Sequence, residues 1–217
     1  MSGMAEERAR VRLDPFYLVL PDADWIERLV PVGLRLVQLR AKGDDPAVLR
    51  SEIRRSLAVC RAHDCQLVVN DHWRLAIEEG ADFLHLGQED LAEADLPAIH
   101  AAGLRLGFST HDEAELEVAL AARPDYVALG PIWPTVLKQM PWAPQTPARL
   151  RLWRERAGAM PLVAIGGITV ERAPLVFAEG ADCAAAVTDV TLHADPEARV
   201  QAWLDVTRPW RESRPPH

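Results

Sequence analysis

Cysteine is sparse. The 217-residue chain carries three, Cys60, Cys65 and Cys183. An odd, scattered set makes no disulfide framework and fits a reducing compartment, so a cytoplasmic location is expected. No Cys-x-x-Cys or His-x-x-x-His spacing occurs, which argues against a zinc site. Long apolar runs are missing too. None approaches the roughly 18 residues needed to cross a bilayer, so no membrane partner is expected. The opening MSGMAEERARVRLD lacks the apolar core of a secretory signal. Positive charge is in deficit: 24 Lys and Arg stand against 32 Asp and Glu, a net charge of −8. A nucleic-acid partner demands a basic face, so none is expected. A small phosphorylated ligand in a local positive pocket is still compatible with that balance.

What is present is an ordinary globular composition, 49% hydrophobic and 26% charged. The length suffices for one sizeable core and is short for two. Eight short apolar runs read as strands: 16–20, 35–39, 66–70, 82–86, 105–109, 126–130, 162–166 and 184–188. Helical patterns separate them. Leu49, Ile53, Leu57 and Cys60 recur on one helical face. Thr110 to Glu113 resembles a capping box, and Thr169 is placed to cap another helix. Near-continuous apolar strands alternating with helices imply a parallel sheet buried on both faces. Eight such units close as an α/β fold, a single (β/α)8 TIM barrel, in preference to an open doubly wound sheet. The expected boundaries are an N-terminal extension at 1–14, the barrel at 15–208 and a polar, Pro-rich tail at 209–217 that frays.

In such a barrel the chemistry sits where strands end. Arg40 and Lys42 follow the second strand, Asn70 and Asp71 the third, Asp90 the fourth, and Ser109 the fifth. Asp71 and Asp90 could share a divalent cation, or else cap a helix and pair with a base. Arg40, Lys42 and Lys138 offer a guanidinium fork and point charges for phosphate oxygens. Gly166 and Gly167 either let backbone N–H groups approach an anion or form a tight turn. Trp133 and Trp142 lie in the longest connection, 133–160, and either stack on a flat ring or pack the loop; its place on the rim suits a lid. His85 reads as a core histidine with a hydrogen bond, whereas His111 is near enough to reach the rim. Cys60 reads as helix core, and Cys65 and Cys183 as small strand residues.

Seven of these stretches resemble the thiamine phosphate synthase family: QLRAK (38–42), VNDHW (69–73), HLGQEDL (85–91), GFSTH (107–111), GPIWPTVLK (130–138), AIGGI (164–168) and AAVTDV (185–190). They occur in the family's order, and the resemblance covers about residues 15 to 205. It implies a barrel enzyme, a Mg²⁺-dependent transferase. Such an enzyme joins a hydroxymethylpyrimidine diphosphate to a thiazole phosphate and releases pyrophosphate. It implies that Gln38, Arg40, Lys42 and Asn70 meet the pyrimidine diphosphate, and that Asp71 and Asp90 hold Mg²⁺. It implies that Ser109 and Lys138 contact the diphosphate. Thr135, Gly167, Val187 and Thr188 would hold the thiazole phosphate. Two positions depart from the family pattern. Leu137 stands where a Thr is usual in the family, which would weaken the thiazole-phosphate site by one hydrogen bond to a charged group, about 1.5–3 kcal/mol. Thr188 replaces the usual Ser and keeps the hydroxyl. The rival readings are a thiazole tautomerase-like barrel, a non-catalytic phosphate-ligand barrel, and a phosphosugar isomerase or aldolase. The last needs a placed base or a strand lysine, and no lysine falls in a strand. The sequence allows a homo-oligomer and does not fix its state.

Overall fold

The computed structural model describes residues 11–135 and 143–213. Its strands are β1 (Phe16–Leu20), β2 (Leu36–Leu39), β3 (Gln66–Asn70), β4 (Phe83–Leu86), β5 (Arg105–Thr110), β6 (Tyr126–Leu129), β7 (Leu162–Ile165) and β8 (Cys183–Ala186). Each pairs in parallel with the next, and β8 closes on β1 through Phe16↔Ala184 and Leu18↔Ala186. This is the eight-stranded barrel that the apolar runs imply, with strand limits within two residues of those read from sequence.

Period-2 alternation sorts the strand residues into two cores. Leu18, Val37, Leu67, Leu84, Leu106, Val127 and Leu162 point outward into the layer shared with the helices. Tyr17, Leu36, Val68, Tyr126, Ala128, Val163, Cys183 and Ala185 point inward and fill the barrel. The helices of the outer layer are α1 (Ala23–Leu29), α2 (Pro46–Ala62), α3 (Trp73–Glu78), α4 (Gln88–Glu93), α5 (Leu96–Ala101), α6 (Glu113–Ala121), α7 (Arg149–Ala157), α8 (Ala173–Ala178), α9 (Thr188–Thr191) and α10 (Pro196–Glu212). On α2 the predicted stripe of Leu49, Ile53, Leu57 and Cys60 is the buried one. Asp45 caps that helix, accepting from the Ala47 N–H, and Pro46 opens it.

Three expectations are corrected. The cap of α6 is Asp112, whose side chain accepts from Glu115 N at 2.9 Å, and not Thr110. Thr110 is fully buried; its hydroxyl donates to Ala128 O and accepts from Trp153 Nε1, both at 2.8 Å. Thr169 caps no helix, because α8 begins only at Ala173 after an intervening turn. The described end of the N-terminal extension packs on the barrel. Val11 and Leu13 are buried against the barrel interior, and Asp14 accepts from Phe16 N. Among the described residues, the chain does not fray between 209 and 213. Helix α10 runs on to Glu212, Trp210 stacks on Phe177 with centroids 4.4 Å apart, and Arg211 pairs with Asp14 at 2.7 Å. These contacts bury aromatic surface that a Pro-rich composition concealed.

Candidate active site

The C-terminal strand ends form an open cavity of about 580 Å³. Arg40, Lys42, Asn70, Asp71 and Asp90 line it. A larger cavity, about 640 Å³, opens at the opposite end of the barrel beside Arg12, Arg35, Asp64 and Arg211, and none of the expected site residues lines it. We place the chemistry in the former, because strand C-termini carry it in this fold.

Local backbone explains how the carboxylates come together. Asp71 leaves β3 in the left-handed region at φ 62°, a conformation that an L-residue adopts at a cost and that Asp tolerates better than most. Its N–H is held by His85 O at 3.0 Å. Asp90 sits in the first turn of α4 and folds back over Gly87, where a Cβ would stand 3.0 Å from its Oδ2. The two carboxyls hydrogen-bond each other, and the Asp71 pKa is pushed up to about 6 by burial, then by the charge of Asp90. Arg40 and His72 pull it the other way and do not win. Arg40 is exposed at the end of β2. Among the described residues Arg40 and Lys42 enter no salt bridge, although many other arginines are paired, Arg50, Arg55, Arg154 and Arg199 among them. Two exposed cations and two coupled carboxyls thus share one cavity.

Among the described residues no cluster of three or more His, Cys, Asp or Glu is arranged to hold a metal. Asp71 and Asp90 are a pair, and a pair suits a hard cation that keeps water and phosphate oxygens as its other ligands, as Mg²⁺ does. The donor set therefore fits.

Deeper in the barrel, Gln38 and Ser109 are linked by residues that the sequence reading did not assign to the site. Gln38 Nε2 donates to Tyr17 OH at 2.7 Å, Tyr17 OH lies 3.3 Å from Tyr126 OH, and Tyr126 OH lies 2.9 Å from His85 Nδ1. His85 Nε2 is 2.8 Å from Ser109 Oγ, and Gln88 Nε2 donates to Ser109 O at 2.6 Å. Burial, then the charge of Arg40, lowers the His85 pKa to about 4, so the ring is neutral at pH 7. His85 is thus the hydrogen-bonded core histidine expected, with Ser109, a candidate site residue, as its partner. Tyr17 and Tyr126 were discoverable from alternation, which aims both inward.

On the other side of the rim, Gly166 and Gly167 have φ of 97° and 64°. A Cβ at Gly167 would lie 2.7 Å from Pro134 O and 2.8 Å from Trp133 Cβ. Close approach of the 131–134 segment thus accounts for glycine at this turn. Arg172, also unassigned from sequence, donates to Gly167 O at 2.6 Å and covers the Trp133 ring. Val187 and Thr188 leave the strand expected there and form the cap and first residue of α9. Thr135 ends the described part of the loop after β6; Leu137, Lys138 and Trp142 lie outside the described residues. His111 does not line the cavity, and its Nδ1 is tied to Glu115 Oε2 at 2.7 Å.

A closed (β/α)8 barrel with cations and carboxylates gathered at its strand ends defines a barrel enzyme acting on a small molecule. The particular family follows from comparison. The thiamine monophosphate synthase profile matches residues 17–190, so the chain belongs to that family. It is 67% identical to the thiamine-phosphate synthase of Rhizobium etli over 93% of this chain and 98% of that one. It is 53% identical to that of Neisseria meningitidis serogroup A over 87% and 92%. The fold superposes on thiamine phosphate pyrophosphorylase from Pyrococcus furiosus with a TM-score of 0.80 and 22% identity, covering 91% of this chain and 96% of that one, a likeness of fold. The chain is a transferase with thiamine-phosphate synthase activity. Among the described residues no helix is long and apolar enough to cross a membrane.

Proposed function

We propose that the chain condenses 4-amino-2-methyl-5-(diphosphooxymethyl)pyrimidine with thiazole phosphate, giving thiamine phosphate and pyrophosphate, by a dissociative substitution. The observation that carries this reading is the pair Arg40 and Lys42, without salt bridges among the described residues, beside the coupled carboxylates Asp71 and Asp90 in one cavity. Taking a diphosphate out of water requires compensation of its charge. Arg40 and Lys42 supply part of it, joined by Asn70, Ser109 and Lys138. Asp71 and Asp90 would hold Mg²⁺, which when bound would supply the remaining positive charge. As the C–O bond breaks, its electron pair stays with the diphosphate oxygen, and the pyrimidine ring delocalises the cation left on the methylene carbon. The thiazole nitrogen then donates its lone pair to that carbon.

Such a reaction asks the protein for no nucleophile and no strong base. It asks for donors aimed at the leaving group and for a second substrate held in line. Gln38 faces the pyrimidine, while Thr135, Gly167, Val187 and Thr188 hold the thiazole phosphate at the ends of β6 to β8. Three free, buried cysteines support a cytoplasmic setting. The test is pyrophosphate release by the purified protein from the two substrates with Mg²⁺, with and without EDTA. Release that needs both substrates and the metal supports the reading. No release, with the pyrimidine diphosphate still bound, overturns it.

A further inference from the structure

We propose that the Gln38–Tyr17–Tyr126–His85 chain runs in one direction and fixes the Ser109 hydroxyl as a hydrogen-bond donor toward the leaving diphosphate, which makes Tyr126 and His85 positioning residues. The inference rests on the substrate reading above for what Ser109 faces, but its internal logic does not.

The direction follows from counting donors and acceptors. Gln38, Tyr17, Tyr126 and His85 are all buried, so a proton left without an acceptor is costly. The chain starts at an amide nitrogen, Gln38 Nε2, which has hydrogens and no available lone pair. Tyr17 oxygen therefore accepts there, and its own proton must go to its other neighbour, the Tyr126 oxygen. That contact is then filled. The Tyr126 proton goes to the remaining partner, His85 Nδ1. A neutral imidazole has one N–H, so Nδ1 accepting places the hydrogen on Nε2, which donates to Ser109 Oγ. The Ser109 proton is excluded from the inside and points to the rim.

A serine hydroxyl free to rotate offers a ligand either its proton or its lone pairs. Held this way, one lone pair is taken by His85 and the proton, with no acceptor on the inside, is the group turned to the ligand. Against an oxygen that gains negative charge as the C–O bond breaks, a donor stabilises and a lone pair repels. The protein spends a layer of its barrel on this arrangement. Positions that barrels usually fill with aliphatic side chains hold two tyrosines, a glutamine and a histidine. Gly107, with the Tyr126 ring directly over it, is the vacancy that lets that ring lie across the interior.

Two measurements test it. The first is the tautomer of His85 in the intact protein, read from its side-chain ¹⁵N shifts by long-range ¹H–¹⁵N NMR. A pyridine-like Nδ1 with a pyrrole-like Nε2 is expected, and the reverse assignment overturns the proposal whatever the enzyme's activity. The second is Tyr126→Phe, alone and in Ser109→Ala. Alone it lowers kcat about 10-fold, the scale of one hydrogen bond to a charged group, with KM for the pyrimidine diphosphate nearly unchanged. In Ser109→Ala it produces no further loss, because its effect passes through that hydroxyl. Additive losses overturn the positioning role. Should Tyr126→Phe not fold, Tyr17→Phe interrupts the chain one link earlier and is read by the same cycle. If wild-type protein shows the expected tautomer yet releases no pyrophosphate, the substrate reading fails and the hydrogen-bond direction stands.

Discussion

Gly107 on β5 and Tyr126 on β6 share one space: a Cβ on Gly107 would fall 2.0 Å from Tyr126 Cζ. Both residues are fixed by the ladder, where Gly107 pairs with Tyr126 in register, so neither can step aside without the other. Gly107→Ala therefore pushes the Tyr126 ring away from His85. Overpacking of this kind costs about 1–3 kcal/mol. The expected result is a lower Tm together with a fall in kcat. A variant that keeps both Tm and kcat would show that the ring has room the packing denies it.

Arg40 and Lys42 differ from most arginines of this chain in having no salt bridge among the described residues, and both are exposed. Their removal leaves no buried charge behind and should cost stability little, within about 0.5 kcal/mol as for other surface sites. Turnover is another matter under the proposed reaction, in which each would face the developing charge. Arg40→Ala is expected to lower kcat/KM by about 100-fold or more, the scale seen when one transition-state donor is removed, while Tm moves by no more than about 2 °C. Near-normal turnover would remove Arg40 from the leaving-group site.

The barrel was legible because its signals are local and repeated. Each strand is a run of apolar residues, each helix has a face such as Leu49–Ile53–Leu57, and strand ends in this fold converge on one rim. Arg40, Lys42, Asn70, Asp71 and Asp90 were found by that rule and do line one cavity. What escaped depends on contacts between distant positions. Nothing near Tyr126 in sequence announces that its hydroxyl meets His85, 41 residues away. Thr110 looked like a cap since Ser and Thr commonly precede helices, and only the packing of Trp153 from α7 shows why a buried hydroxyl is needed there. The end of α10 is hidden in the sequence because proline and charge outweigh Trp210 and Arg211, whose partners Phe177 and Asp14 lie far off in the chain.

Thr110 allows a direct check of that last kind of contact. Its hydroxyl accepts from Trp153 Nε1 and donates to Ala128 O. Thr110→Val keeps the shape and deletes both bonds, leaving the fully buried Trp153 with an N–H that has lost its partner. The cost is about 1–3 kcal/mol, read as a Tm lowered by several degrees, and Thr110→Ser should recover most of it. A Thr110→Val protein as stable as the parent would mean that water reaches the indole N–H.

Asp71 ties stability to pH and, in the proposed reaction, to metal. Its folded pKa of about 6 lies above the ordinary carboxylate value of 3.8, chiefly through burial and the neighbouring Asp90. The sign follows from proton counts. Between those two values the folded protein binds more protons than the unfolded chain, so stability falls as pH rises through that window, and the penalty is present in full above about 6. Asp71→Asn removes the charge that causes it. In the metal-free protein the variant is therefore expected to melt higher than the parent at pH 7.5, with the difference vanishing near pH 4. Added Mg²⁺ should raise the Tm of the parent at pH 7.5 and much less at pH 5, where Asp71 holds a proton, and should leave Asp71→Asn nearly unmoved. Turnover of Asp71→Asn should need far more Mg²⁺ than the parent. A parent and variant with the same metal titration would take Asp71 out of the metal site, whereas a melting difference independent of pH would show that desolvation and Asp90 do not govern its proton.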